Sequence, residues 1–159
     1  MFNVFKKKGS ILTAPVTGKV IALENVPDQV FAQKMMGDGV AFQYDGSTIF
    51  SPCDGKVKMI AETKHAIGIT DSAGADILIH IGLDTVALNG EGFTVNVSVG
   101  DKLSKGQPII SIDRDLMEQK EIDLTTPMII TNANEVNSVS ILNQDGEAVK
   151  GQTEVIKIE

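Results

Sequence analysis

Apolar residues along this chain come in short runs rather than helical stripes. The runs are KVIAL (19–23), TIFSP (48–52), KVKMIAE (56–62), AIGIT (66–70), ADILIHIGL (75–83), FTVNVSV (93–99), PIISI (108–112), MIIT (128–131), VSIL (139–142) and TEVIKIE (153–159). Turn signals separate them. Asp-Gly stands at 38–39, 45–46, 54–55 and 145–146, Asn-Gly at 89–90, and Gly again at 100, 106 and 151. Short Ile- and Val-rich segments between frequent turns predict a mainly β, antiparallel sandwich or barrel-like fold. Helix is scarce. DLMEQKE (115–121) predicts about two turns, and PDQVFAQKMMG (27–37) a turn or two, with Pro27 and Asp28 suited to its start and Gly37 to its end. APVTGKV (14–20) is echoed by SPCDGKV (51–57), which suits a fold built from two related β units.

ADILIHIGLDT contains one of only two histidines. As a strand it alternates faces. Ile77, Ile79, Ile81 and Leu83 fall on one side, Leu78, His80, Gly82 and Asp84 on the other. The imidazole can therefore point outward from an apolar strand, with Gly82 leaving room beside it. The other histidine, His65, shares parity with Thr63, whose hydroxyl could orient the ring and select its tautomer. A strand over 63–70, a turn at 71–76 and a strand over 77–83 would form a hairpin. It would set the two imidazoles opposite or diagonal, within about 8 Å.

Two chemistries suit such a pair. A neutral imidazole is a nucleophile that can take a phosphoryl group, with the second ring donating to the phosphoryl oxygens. Alternatively, two histidines and a carboxylate make a marginal zinc site.

Length and charge narrow the function. The 159 residues suffice for one domain, 11–159, behind a short flexible tail over residues 1–10. The single cysteine, Cys53, rules out a disulfide framework and suits a reducing, cytoplasmic setting. Net charge is −7, with a basic cluster only at Lys6, Lys7 and Lys8, which argues against nucleic acid and for a basic protein partner. Phe2, Val4 and Phe5 beside those lysines could brush an anionic membrane, a peripheral contact at most. No apolar run approaches the roughly 20 residues of a membrane span.

ETKHAIGITDSAGADILIHIGLDTVALNGEGF (62–93) resembles the histidine core of glucose-type enzyme IIA, the phosphocarrier of the bacterial phosphoenolpyruvate-dependent sugar phosphotransferase system. ENVPDQVFAQKMMGDGVA (24–41), APVTGKV, SPCDGKV, VGDKLSKGQPI (99–109) and TTPMIITN (125–132) extend the resemblance over about 11–158. It implies a duplicated hybrid-motif β-sandwich. It places the phosphorylated histidine at His80, the accessory histidine at His65, its hydroxyl partner at Thr63 and flanking carboxylates at Asp28 and Asp84. Asp28 and Asp84 would repel phosphate and attract a donor's arginine. Val30, Phe31, Met35, Met36 and Leu78 fall at the family's apolar docking rim. Ala61, Ile67 and Leu78 stand where enteric relatives tend to carry phenylalanine, so this rim is aliphatic and Met-rich.

The resemblance implies a phosphotransferase. Its donor would be the phosphocarrier HPr, and its acceptor the cysteine of a sugar-specific IIB domain. It implies no required cofactor, though His65 and His80 could hold zinc opportunistically. Cys53 then reads as a small packed residue. In its dephospho state the same surface could regulate other proteins. Two rivals are weighed. A biotinyl-type carrier needs an exposed Lys-Met hairpin tip, and Lys34-Met35 lies in a helical-looking stretch. A zinc metallopeptidase would share the His-x-x-x-Asp of His80 and Asp84 but needs a third histidine.

Overall fold

A computed structural model of the chain describes residues 9–159. The strands are β1 (Ser10–Thr13), β2 (Gly18–Ala22), β3 (Asp38–Tyr44), β4 (Thr48–Phe50), β5 (Gly55–Ile60), β6 (Ala66–Asp71), β7 (Asp76–His80), β8 (Phe93–Val95), β9 (Lys102–Leu103), β10 (Pro108–Ile112), β11 (Thr126–Ile130), β12 (Val139–Ile141), β13 (Glu147–Ala148) and β14 (Glu154–Ile158). The helices are α1 (Gln29–Ala32) and α2 (Arg114–Gln119). The expected N-terminal tail and its membrane contact lie outside the described residues, except that Ser10 already belongs to β1.

All recorded pairings are antiparallel. One sheet has eight strands in the order β13-β2-β3-β11-β7-β6-β5-β9, and two have three, β1-β14-β12 and β4-β10-β8. The inner face of the large sheet packs on the small sheets. Val20, Phe42, Ile67, Ile69, Ile77, Ile79, Met128 and Ile130 meet Leu12, Ile49, Phe93, Ile110, Ile112 and Ile156 in one core. Burial of each such side chain contributes roughly 1.5–3 kcal/mol. The mainly β sandwich expected from the turn-punctuated pattern is the fold observed.

The echo between 14–20 and 51–57 is structural. The eight-stranded order maps onto itself when read from the other end: β13 answers β9, β2 answers β5, β3 answers β6 and β11 answers β7. The small sheets repeat the relation, β1 with β4, β14 with β10 and β12 with β8. Gly18 opens β2 opposite Tyr44, and Gly55 opens β5 opposite Asp71. Both glycines are required by closeness. A Cβ would lie 2.3 Å from the Gln43 carbonyl at Gly18 and 2.5 Å from the Thr70 carbonyl at Gly55.

The halves differ in the connection that follows. The β5–β6 link is a five-residue turn, whereas residues 23–37 between β2 and β3 fold over the outer face of the large sheet. There Leu23, Val26 and Phe31 form a second apolar cluster with Ala41, Leu83 and Ile129.

Helix α1 is shorter than the 27–37 expectation. Asp28 caps it, accepting from the Val30 amide at 3.0 Å, but Lys34 turns left-handed at φ 58° and ends it early. Helix α2 falls close to its expected place, one residue earlier at its start, and stops before Glu121 at φ 55°.

Candidate functional site

The site is built where β7 ends. The strand expected over 77–83 stops at His80, because Gly82 adopts φ +81° and turns the chain. Gly82 does not leave open space. A Cβ there would lie 2.6 Å from Thr85 Cγ2 and 3.0 Å from the Asp123 carbonyl, so only glycine fits. The turn is pinned from several sides. The Leu83 amide donates to Asp123 O at 2.9 Å, and Thr85 Oγ1 to Ile81 O at 2.7 Å. Leu83, expected in the main core with Ile77, Ile79 and Ile81, instead joins the outer cluster because the strand has already turned.

The turn gives His80 its tautomer. Its Nδ1 lies 2.8 Å from the Gly82 carbonyl. A carbonyl only accepts, so Nδ1 carries the hydrogen and the Nε2 lone pair is free. His80 is half-buried, with the Phe31 ring 5.0 Å away and tilted by 59°.

His65 reaches the same spot by a different route from the one expected. Strand β6 begins at Ala66, and Ala66 is the ladder partner of His80. Residues 62–65 form a turn in which Lys64 takes φ +61°. That twist swings the His65 ring to stand edge to face with His80, centroids 4.8 Å apart and planes at 80°. The Ile81 amide donates to the His65 carbonyl at 2.6 Å and ties the two segments together. Thr63 Oγ1 lies 2.6 Å from His65 Nδ1.

Both imidazoles are held neutral. Burial pushes the His65 pKa below its usual 6.5, and the neighbouring His80 lowers it further, against hydrogen bonding of the protonated ring to the Thr63 backbone. Burial likewise lowers His80, opposed by its bond to Gly82 and by the negative charges of Asp28 and Asp84. Asp84 is exposed in a left-handed turn, and Asp28 is the α1 cap.

The apolar rim is only partly a rim. Val30, Met35 and Met36 are exposed on the 23–37 segment, Met35 most of all at 68 %. Leu78 is half-buried against the outer cluster. Phe31 is 4 % exposed, a correction to its placing as free docking surface: its ring roofs the outer cluster and touches His80. Ile67 is wholly buried in the main core and belongs to no rim. Sequence reasoning missed exposed Val86, on the single turn after Asp84, and the Gly82 carbonyl as the orienting group. The positive φ that makes Gly82 obligatory was the signal, and a face-parity reading cannot see it.

Cys53 is buried, and its thiol is pushed up to about 12 by burial and by Asp71 and Asp54, so it is no nucleophile here. Among the described residues no group of three His, Cys, Asp or Glu is placed to hold a metal. His65 and His80 alone would leave a zinc half-coordinated. No helix among them is long and apolar enough to cross a membrane.

Residues 10–136 match the family described as phosphoenolpyruvate-dependent sugar phosphotransferase system, EIIA 1. The chain is 44 % identical to the glucose-specific EIIA component of Oceanobacillus iheyensis, covering 98 % of this chain and 97 % of that one. It is 46 % identical over 135 residues to the glucoside-specific EIICBA component of Staphylococcus carnosus, of which it spans 20 %. Among solved structures, glucose permease IIA from Mycoplasma capricolum superposes with a TM-score of 0.85 at 33 % identity, covering 99 % of this chain and 97 % of that one.

Proposed function

The chain belongs to the phosphoenolpyruvate-dependent sugar phosphotransferase system EIIA 1 family, and on that premise we propose that it is a phosphocarrier with His80 as the acceptor. The observation that carries this reading is the hydrogen bond from His80 Nδ1 to Gly82 O, which leaves Nε2 unprotonated beside a second neutral ring.

The reaction is a relay between nitrogens and a sulfur. The Nε2 lone pair attacks the phosphorus of a phosphohistidine on HPr. An N–P bond forms to His80 as the donor's N–P bond breaks, and that electron pair returns to the donor imidazole. The cysteine thiolate of a sugar-specific IIB domain then attacks the phosphorus, forming an S–P bond as the His80 N–P bond breaks and its electron pair returns to Nε2. His65 positions the group. With Thr63 Oγ1 donating to Nδ1, its Nε2–H faces the phosphoryl oxygens. Desolvation by Phe31 and the outer cluster strengthens that hydrogen bond.

Asp28 and Asp84 repel a free anion and favour a phosphoryl group arriving on a partner that brings its own cations. Exposed Val30, Met35 and Met36 supply an apolar, adaptable face for partners met one after another. The same face could hold regulatory targets in the dephospho state.

Intact mass after incubation with phosphoenolpyruvate, enzyme I and HPr tests the assignment. The expected result is one acid-labile, base-stable phosphoryl group, absent without HPr and absent in His80→Ala. Full labelling of His80→Ala would refute it.

A further inference from the structure

The duplicated frame contains its own control. In the first half Lys19 on β2 stands directly opposite Glu147 on β13. In the second half Lys56 on β5 stands directly opposite Lys102 on β9. The two pairs occupy equivalent places: Gly18 faces Ala148 one step along, and Gly55 faces Leu103. One half therefore holds a complementary pair where the other holds two cations, with Cβ atoms about 5 Å apart. Like charges so placed are unfavourable, and this chain is otherwise acidic at −7.

Asp54 and Asp71 line the same cleft, but neither lysine is paired with them. Among the described residues neither takes part in an ion pair. Asp76 is taken by Lys58 at 2.8 Å and by Thr70 at 2.8 Å. Asp54 accepts from the Lys105 amide at 2.9 Å. Asp71 Oδ1 accepts from the amides of Ala73 and Ala75, while its buried Oδ2 has no partner. Lys56 and Lys102 line a cleft of about 600 Å³ with Asp54, Lys58, Thr70, Asp71 and Ser72.

We propose that this cleft binds a phosphorylated small molecule, its phosphate held between Lys56 and Lys102. A phosphomonoester carries close to two negative charges at neutral pH and accepts hydrogen bonds on three oxygens, which suits two facing ammonium groups. A hydroxyl-bearing ester is preferred over bare phosphate, because the same wall offers the Thr70 and Ser72 hydroxyls. The cleft uses none of the residues assigned to phosphoryl transfer.

Heteronuclear NMR titration with a hexose 6-phosphate and with inorganic phosphate tests the site. Saturable shifts centred on Lys56 and Lys102 are expected, with Kd on the order of 1 mM or tighter for the hexose ester and weaker for phosphate. Lys102→Glu copies the pair the other half already has. It is expected to keep a cooperative thermal transition, still accept phosphoryl at His80, and bind the ester at least tenfold more weakly. Glu147→Lys is expected to create phosphate binding in the first half. No saturable binding by the unaltered chain, or undiminished binding by Lys102→Glu, would overturn the proposal. Equal affinity for the two anions would overturn the hydroxyl preference. Sedimentation with phosphatidylglycerol vesicles separates the sources: capture on vesicles without any response to the soluble ester would also overturn it.

Discussion

His65 and His80 meet edge to face at 4.8 Å although the ladder does not pair them. Ala66 is opposite His80, and an ideal strand would send His65 to the other side of the sheet. The left-handed Lys64 reverses that, and the Ile81 amide locks the reversal by binding the His65 carbonyl. The accessory role proposed for His65 thus depends on backbone geometry outside any strand.

Replacing His65 with Gln separates accepting the phosphoryl group from passing it on. Nε2 of His80 stays free, so acceptance from HPr is expected to persist. The donor that faces the phosphoryl oxygens is lost or misplaced, and onward transfer is expected to slow on the order of 10²-fold. Rapid-quench measurement of phosphoryl transfer from the labelled variant to a IIB domain checks this. An unchanged rate would remove His65 from the relay.

Gly82→Ala tests the orienting turn. The substitution forces a Cβ against Thr85 and the Asp123 carbonyl at φ +81°. A destabilisation of about 2 kcal/mol is expected from the strain, measured by denaturant unfolding. The His80 ring should also lose its fixed tautomer, seen in the imidazole ¹⁵N shifts. A variant as stable as the parent, with unaltered nitrogen shifts, would show that the turn does not hold the ring.

The fold was legible because its signals are local. Asp-Gly turns and Ile-Val runs name strands wherever the chain is cut, and Asp28 announced its helix cap. The pairing of Thr63 with His65 was legible too, since a separation of two residues brings them together in either a strand or this turn. What parity could not show is where regular structure stops. Leu83 changed clusters because β7 ends at His80, and Gly82 was read as empty space although its carbonyl binds the ring. Phe31 and Ile67 were read as rim by resemblance, but Ile67 lies in the main core between the sheets, and the burial of Phe31 depends on which loop lies over the outer face. That choice rests on the long 23–37 connection present in only one half of the duplicated frame.

Phe31 and Val30 separate packing from docking. Phe31 is buried in the outer cluster against His80, so Phe31→Ala is expected to cost about 3 kcal/mol and to lower the melting temperature. Val30 is 41 % exposed. Val30→Ser should leave melting within about 0.5 kcal/mol of the parent while weakening the complex with HPr. Scanning calorimetry and titration calorimetry on both variants check the pair. A stable Phe31→Ala would return Phe31 to the docking face.

Acid is expected to act on both rings together, and the sign follows from their lowered pKa values. Each folded-state value lies below the usual 6.5, so between the two values the unfolded chain binds more protons than the folded one. The stability contributed by the neutral rings is full above about pH 6.5 and is lost as pH falls toward the folded values. For the same reason His80 keeps its lone pair, and its capacity to accept phosphoryl, somewhat below pH 6.5. NMR titration of the imidazole protons should place both midpoints under 6.5. In Asp84→Asn the His80 midpoint should fall further, because a charge that favours its protonated form is gone. A midpoint for His80 above 6.5 in the parent would mean that the aspartates outweigh burial. The ring would then be largely protonated in mild acid, and phosphoryl acceptance would fall off there instead of persisting.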